Sequence, residues 1–451
     1  MSNSHLNSPV HAKESGRRRI WSDIRGLGKE TWAICVSAFL ADIVLGSMSA
    51  TFSIHAHVSG LDPVSIGTLA AAGGFVSLGV TIPVGVLSDR VGRKRVIGAG
   101  HTFFALSMAL LAFAGSFWTL MAGRILFALG SVSVFQTGTA RLGDITPPRL
   151  RHTAFGLLST CMGLGFGTGP LLGGLLTDLL GHLPTYLIIS AVGIGALTIV
   201  FRSIGGGTPR ARSHPGVLRG LQQGFSEILR SPDILLVTLA NMMAGVTFTG
   251  TIGTFLPLYG RELAISQTSI GVMFAVRSWV SALGRIPASV AVRHLGNHVY
   301  LLLGLFAEAT CMFLLWIARS QATILVVLAC EGLAYAGFMV AGQTYLAART
   351  TEANRGTVGG IYAMASGLAS TVSPFALGVV AERWSLRTVF VASGAILGMG
   401  FLLFAAGFLA LRSRLREEHE GDEESLETAQ SVSPLTVRSE KLVSNRDGAG
   451  A

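Results

Sequence analysis

Between Thr31 and Leu411 the chain is a succession of apolar runs, each about twenty residues long, parted by short polar gaps. No other feature narrows the possible folds so far. A run of that length is what an α-helix needs to cross the hydrocarbon of a bilayer. Lipid offers the backbone no hydrogen-bonding partner, so each crossing must satisfy its own N–H and C=O groups. A β-barrel does this with residues that alternate between lipid and lumen; these runs are apolar on every side, which excludes it. Charged residues make up 13% of the chain, about half the share of a soluble domain, and they gather in the gaps.

Twelve spans are predicted, at 31–53, 64–86, 96–114, 117–139, 154–177, 184–203, 234–257, 267–291, 299–318, 322–346, 356–380 and 388–411. Residues 204–233 interrupt the series with Gly205, Gly206, Gly207, Pro209 and Pro215, and leave six spans on either side. The expected architecture is an all-α membrane protein of twelve transmembrane helices in two pseudo-symmetric six-helix bundles. Its parts are a tail 1–30, a first bundle 31–203, a linker 204–233, a second bundle 234–411 and an acidic, disordered tail 412–451. The repeat is visible in the residues. Pro83 and Gly92 recur as Pro287 and Gly296; Arg151, Gly156 and Pro170 recur as Arg355, Gly360 and Pro374; Gln136-Thr137 recurs as Gln343-Thr344. Such internal repeats are typical of transporters built around a site at the bilayer midplane.

A net charge of +10 would suggest a nucleic-acid partner for a soluble chain. Here the arginines sit at span ends and act as topology signals, so no nucleic-acid partner is expected. The N-terminal tail, the gaps after the second and fourth spans and the linker are basic. The alternate gaps of the first half (54–63, 115–116, 178–183) hold no Lys or Arg. Both termini and the linker are therefore expected on the cytoplasmic side, although Arg261, Arg319, Arg383 and Arg387 fall on the other. The first thirty residues lack the short apolar core of a cleaved signal peptide. Cys35, Cys161, Cys311 and Cys330 lie inside apolar runs at irregular spacing, which fits neither a metal cluster nor a disulfide framework.

The sharpest motif follows the second span: Gly85-Val-Leu87-Ser88-Asp89-Arg90-Val-Gly92-Arg93-Lys94-Arg95. Gly85 lets two helices approach closely, Gly92 permits a tight turn, Asp89 suits the positive end of a neighbouring helix, and the arginines can pair with carboxylates such as Asp144. This segment resembles the signature of the major facilitator superfamily, Gly-x-Leu-(Ala/Ser)-Asp-Arg-x-Gly-Arg-(Lys/Arg), at every defining position. The resemblance implies a gate made of Gly85, Asp89, Arg90, Gly92, Arg93, Arg95 and Asp144. In the fifth span, Gly165-Phe-Gly-Thr-Gly169-Pro170-Leu-Leu-Gly173-Gly174 resembles the antiporter motif of the drug:proton antiporters in that superfamily. It implies a bent, closely packed helix that biases the protein towards export. Arg124 and Gly130 resemble the superfamily's motif in the fourth helix, with Phe127 and Ala128 departing from it.

Charges inside the spans are costly, at ~2.5–3.5 kcal/mol each on insertion scales, and normally serve a function. Asp42 and Arg124 both count to mid-depth and are expected to pair. Asp42, Arg124 and Glu331 are the proton-coupling residues this suggests; Glu308, in a helix the family places at the periphery, is expected to pair with a neighbour. Arg277, Asn241, Gln136 and Gln343 are expected in the substrate cavity, with Trp279 in its wall. The resemblance implies a central cavity, alternating access by rocking, and export of a small, partly apolar compound in exchange for protons. Uptake of a small organic acid with protons, its carboxylate held by Arg277 or Arg124, is the rival reading, and a non-transporting receptor is a third. There is no Gly-x-x-x-x-Gly-Lys-(Ser/Thr) and no His-Glu-x-x-His, so neither an ATP-driven pump nor a zinc hydrolase is expected. The chain is expected to be a monomer in the plasma membrane, the inner membrane of a bacterium. It needs no cofactor or metal, and its partners are substrate, protons and lipid.

Overall fold

The computed structural model describes residues 26–205, 217–350 and 355–410. The first tail up to residue 25, the Gly-rich segment 206–216 and the acidic tail lie outside these residues. The first half consists of α1 (Lys29–Val58), α2 (Pro63–Val91), α3 (Arg93–Ala112), α4 (Phe117–Ile145), α5 (Arg151–Leu180) and α6 (His182–Ser203). A linker helix, α7 (Val217–Arg230), precedes the second half. There, α8 (Pro232–Gly245), a π-helical stretch (Val246–Phe255) and α9 (Leu256–Glu262) form one continuous crossing. It is followed by α10 (Gln267–Leu295), α11 (Asn297–Ile317), α12 (Gln321–Arg349), α13 (Arg355–Arg383) and α14 (Leu386–Ala410).

Among the described residues eleven crossings are long and apolar enough to span a bilayer. The twelfth, α10, has the length but carries Arg277, Arg285 and Arg293 and is less apolar. Large apolar side chains such as Phe113, Trp118 and Ile286 are exposed around the outside, as lipid contact requires. Several helices overrun their predicted spans. At ~1.5 Å per residue the 30 residues of α1 or α5 reach ~45 Å, well past the ~30 Å of hydrocarbon. The second span, expected to end at 86, runs to Val91. The signature motif is thus no loop: most of it is the last turns of α2, joined to α3 through Gly92 alone.

Gly92 has φ +97°, and Gly296, 204 residues later, has φ +84°. The same offset links Gly60 at φ +88° with Ala264 at φ +57°, so the repeat holds at the level of backbone turns even where the side chain has changed. α1–α6 form one bundle and α8–α14 the other. They meet along two equivalent seams, α5 against α10 and α2 against α13.

Candidate functional site

The seams are made by glycines facing backbone. A methyl group added at Gly271 would collide with the Pro170 carbonyl, and one at Gly67 with the Pro374 carbonyl. Gly271 and Gly67 are repeat-related, and so are the two prolines. A proline removes one helical N–H and bends its helix, so both bent helices present that bend to a glycine of the other bundle. At Gly378 the added carbon would stand 2.8 Å from the Pro63 carbonyl oxygen. Asp178, in the last turn of α5, accepts from the Thr268 backbone N–H (2.7 Å), the Thr268 hydroxyl (2.6 Å) and the Gln267 N–H (3.2 Å). It thereby caps the start of α10 across the seam. All these contacts lie towards the Gly60 end. Towards the Gly92 end the seams part: an added carbon at Gly156, Gly359 or Gly360 meets nothing within 4 Å, and Gln136 and Gln343 are exposed. The bundles are thus in close backbone contact towards the Gly60 end, and these positions lack such contact towards the Gly92 end, as in a cleft sealed at the former.

The antiporter-like stretch of α5 divides its small residues between two partners. Gly165, Gly169 and Gly173, one turn apart, pack on α1; an added carbon at Gly169 would lie 2.5 Å from the Ile43 carbonyl oxygen and 2.9 Å from Gly46 Cα. Gly174 faces the backbone of Gln267 in α10, and the Trp279 indole fills the space beside Gly167. Pro170 stands against Gly46. The motif therefore couples α1 to the opposite bundle through one helix.

At the Gly92 end Arg93 is the hub. Its guanidinium binds Asp144 (2.8 Å), Asp89 (2.9 Å) and the Ser88 hydroxyl (3.1 Å). Among the motif's arginines, Arg93 is the partner of Asp144; Arg90 is exposed. Arg95 reaches back to the Val91 carbonyl at 3.4 Å, and Gly85 leaves room for the Gln136 amide. Arg387, one of the arginines on the less basic side, donates to the Trp316 carbonyl at 2.8 Å, where the end of α11 offers free acceptors.

The centre differs from expectation in four ways. Asp42 and Arg124 do not pair. Asp42 is 5% exposed beside Gly165, and its Oδ2 has no hydrogen-bond partner among the described residues. Arg124 lies nearer the sealed end in the space left by Gly73, with Met48 Sδ at 3.7 Å and the rings of Phe52 and Phe127 at 5.3 and 5.8 Å. No described carboxylate is within ion-pair distance of it. Arg277 and Glu331, expected in separate roles, form a buried bidentate pair, with Nη2–Oε1 at 2.7 Å and Nε bonded to Oε2. Asn241 is not open to the cleft, because its amide donates to the Tyr362 carbonyl of α13 at 2.9 Å. Gln136 and Gln343 sit nearer the Gly92 end than mid-depth, because α4 and α12 are each 29 residues long.

Around the Arg277–Glu331 pair is an aromatic group drawn from both bundles. Arg277 stacks over Phe248 (5.0 Å) and Tyr335 (5.4 Å), whose rings are nearly parallel. Phe166 of α5 approaches Phe248 at 5.8 Å, and the Trp279 indole lies against Gly167 in the α5–α10 seam. Of these rings sequence reasoning singled out only Trp279. Phe248 lies in the π stretch, where the widened turn departs from helical periodicity. Its signal was the run Val246-Thr-Phe-Thr-Gly-Thr-Ile-Gly-Thr-Phe255, poor in strong helix formers.

Comparison with known proteins agrees with this geometry. The chain is 25% identical over 316 residues to the class E tetracycline resistance protein of Escherichia coli, covering 67% of this chain and 76% of that one. It is 22% identical to multidrug resistance protein 1 of Bacillus subtilis over 76% of this chain and 86% of that one. The crystal structure of the nucleoside transporter NupG superposes with a TM-score of 0.71 at 15% identity, covering 84% of this chain and 98% of that one. The model of the Major Facilitator Superfamily matches residues 34–264 and 237–445. The chain belongs to the major facilitator superfamily and is a multi-pass membrane transporter rather than an enzyme.

Proposed function

We propose that the chain is a proton-driven exporter of small, partly apolar organic molecules that works as a monomer by alternating access. The observation that carries this reading is the centre of the cleft. Rings from both bundles surround buried charges, in a cavity sealed at one end by glycine–backbone contacts and open at the other. An apolar, aromatic wall with few polar groups suits a hydrophobic substrate. Seams built largely of glycine against backbone, with the Asp178 cap as their named hydrogen-bonding contact, suit a rocking motion, because opening them breaks few specific bonds. The positive-inside rule makes the Gly92 end cytoplasmic, together with both termini and the linker. The molecule is then inward-open, loaded from the cytoplasm of a cell whose plasma membrane it spans. Arg93 holds the α2–α3 corner to α4 on that side, and the bundles 31–203 and 234–411 rock about the seams. Asp42 and Glu331 are the carboxyls assigned to proton exchange, with the proton gradient as the energy source and no cofactor or metal. Relatives named for tetracycline and multidrug resistance support export of this class of compound.

A second reading has one observation in its favour: Arg124 has no carboxylate partner among the described residues, and a substrate carboxylate could supply one. The protein would then take up a small organic acid. The two are separated by transport in inverted and right-side-out vesicles, using tetracycline and the dye ethidium against a panel of small organic acids. Export predicts proton-driven accumulation of the aromatic compounds inside inverted vesicles, lost in Asp42→Asn or Glu331→Gln. Accumulation of an acid in right-side-out vesicles, with no movement of the dyes, would favour uptake. Unchanged proton flux in both variants would remove Asp42 and Glu331 from the scheme.

A further inference from the structure

Glu308 of α11 is fully buried, and neither of its carboxyl oxygens has a hydrogen-bond partner among the described residues. It does not find the neighbour expected for it. It lies within electrostatic reach of Glu331 and Arg277, and the other titratable or charged groups that face this cluster are Tyr335 and Cys330 of α12, Cys311 of α11 and Arg285 of α10. Helix packing explains the closeness. Gly304 of α11 presses on Phe338, and Gly332 of α12 on the Arg277 carbonyl, so α12 packs closely against both α11 and α10. Two carboxyls therefore share a dry core with one guanidinium, and Glu331 takes two parallel bonds from it. An ionised carboxylate without partner or water is penalised by several kcal/mol. The three groups close as a neutral set when Glu308 carries one proton.

We propose that Glu308 and Glu331 form a two-position proton site with Arg277 as its switch. In the first arrangement Arg277 binds Glu331, the pairing this structure holds, with Glu331 as the carboxylate and Glu308 as the acid. In the second, the proton has left the Glu308 oxygen for a Glu331 oxygen, and Arg277 has moved its two bonds to the Glu308 carboxylate. Total charge is zero in both, so the change needs no ion to enter a dry region. Because the Arg277 guanidinium lies on Phe248 and Tyr335, its movement resets the aromatic wall and ties the position of the proton to the shape of the cavity. Phe248 sits in the π stretch, a turn geometry frequent at functional sites. This site deepens the proton-coupled reading and rests on it.

The test uses the full-length protein in proteoliposomes, in an Asp42→Asn background so that Asp42 contributes no signal. Infrared spectroscopy at neutral pH is expected to show a protonated-carboxyl band that Glu308→Gln removes. Glu331→Gln is expected to remove it as well, although Glu308 is still present, because Arg277 then takes Glu308 as its carboxylate. This second variant keeps the proposal open to refutation if Glu308→Gln does not fold. A band that survives Glu331→Gln, or no band in the background protein, overturns the proposal. With Asp42 intact, Glu308→Gln is expected to keep substrate exchange without a gradient while proton movement falls at least ~10-fold; wild-type proton movement in that variant overturns it. If the unaltered protein moves no protons with any substrate, the coupled reading fails, and the infrared result still decides where the proton resides.

Discussion

Replacing Gly378 by alanine puts a methyl group where the seam has no room. The new carbon would stand 2.8 Å from the Pro63 carbonyl oxygen and 3.2 Å from Val64 Cα. The first distance is about 0.6 Å short of the 3.4 Å at which ordinary contact begins, and both neighbours are backbone that cannot turn aside. Overpacking of this kind costs ~1–3 kcal/mol. If the seam opens at the Gly60 end in the other state, the cost falls on the inward-open state alone, and the equilibrium shifts outward by roughly 5–150-fold. Gly271→Ala strikes the Pro170 carbonyl at the repeat-related place and should do the same. Gly360→Ala, on the same helix as Gly378, meets nothing within 4 Å and serves as the control. Pulsed electron–electron distances report the populations directly. Spin labels at Trp118 and Gln321, on corners of opposite bundles at the sealed end, are placed in a background with the four cysteines replaced by serine. Gly378→Ala and Gly271→Ala should move the distribution to longer distances, and Gly360→Ala should leave it at the starting value. If the two seam variants keep the short distance with normal thermal stability, the sealed end is not a population-controlling contact and the reasoning fails.

Further outcomes follow from the same contacts. Arg277→Met strands Glu331 in the core and should destabilise the protein by ~3–5 kcal/mol, read as a large fall in the midpoint of unfolding in detergent; the double variant with Glu331→Gln should recover most of it. Asp144→Asn removes a partly exposed ion pair worth at most about 1 kcal/mol, so the unfolding midpoint should barely move, while transport rate falls several-fold if Arg93 times the opening. Phe248→Leu keeps bulk but loses ring stacking worth ~0.5–1.5 kcal/mol, so ethidium binding measured by fluorescence should weaken about two- to twelvefold.

Much of this molecule is legible in its sequence, and the limits have a physical cause. Span lengths follow from hydrocarbon thickness and the repeat from shared turn and proline positions, so the architecture could be read directly. Arg93 and Asp144 could be matched because each lies within a residue or two of a helix end, where both depth and direction are constrained. Asp42 and Arg124 could not. Counting residues from a helix end gives depth at ~1.5 Å per residue, whereas which way a side chain points is set by packing that no single helix encodes. Arg124 turned into the gap left by Gly73, a residue of a different helix. Arg277 and Glu331 are 54 residues apart, and their union needs α10 and α12 to meet at one level. The π stretch misled differently, because its apolarity is that of any crossing while its weak helix formers are spread through glycines and threonines.

The central claim is that an imposed proton gradient alone drives substrate through this cleft. The direct measurement is uptake of ethidium or tetracycline by inverted proteoliposomes containing only this protein, with the interior made acidic and no nucleotide present. The account predicts accumulation against the concentration gradient, with matching alkalinisation of the interior, and collapse of both when a protonophore is added. Accumulation that ignores the protonophore, or equilibration without any proton movement, would contradict it.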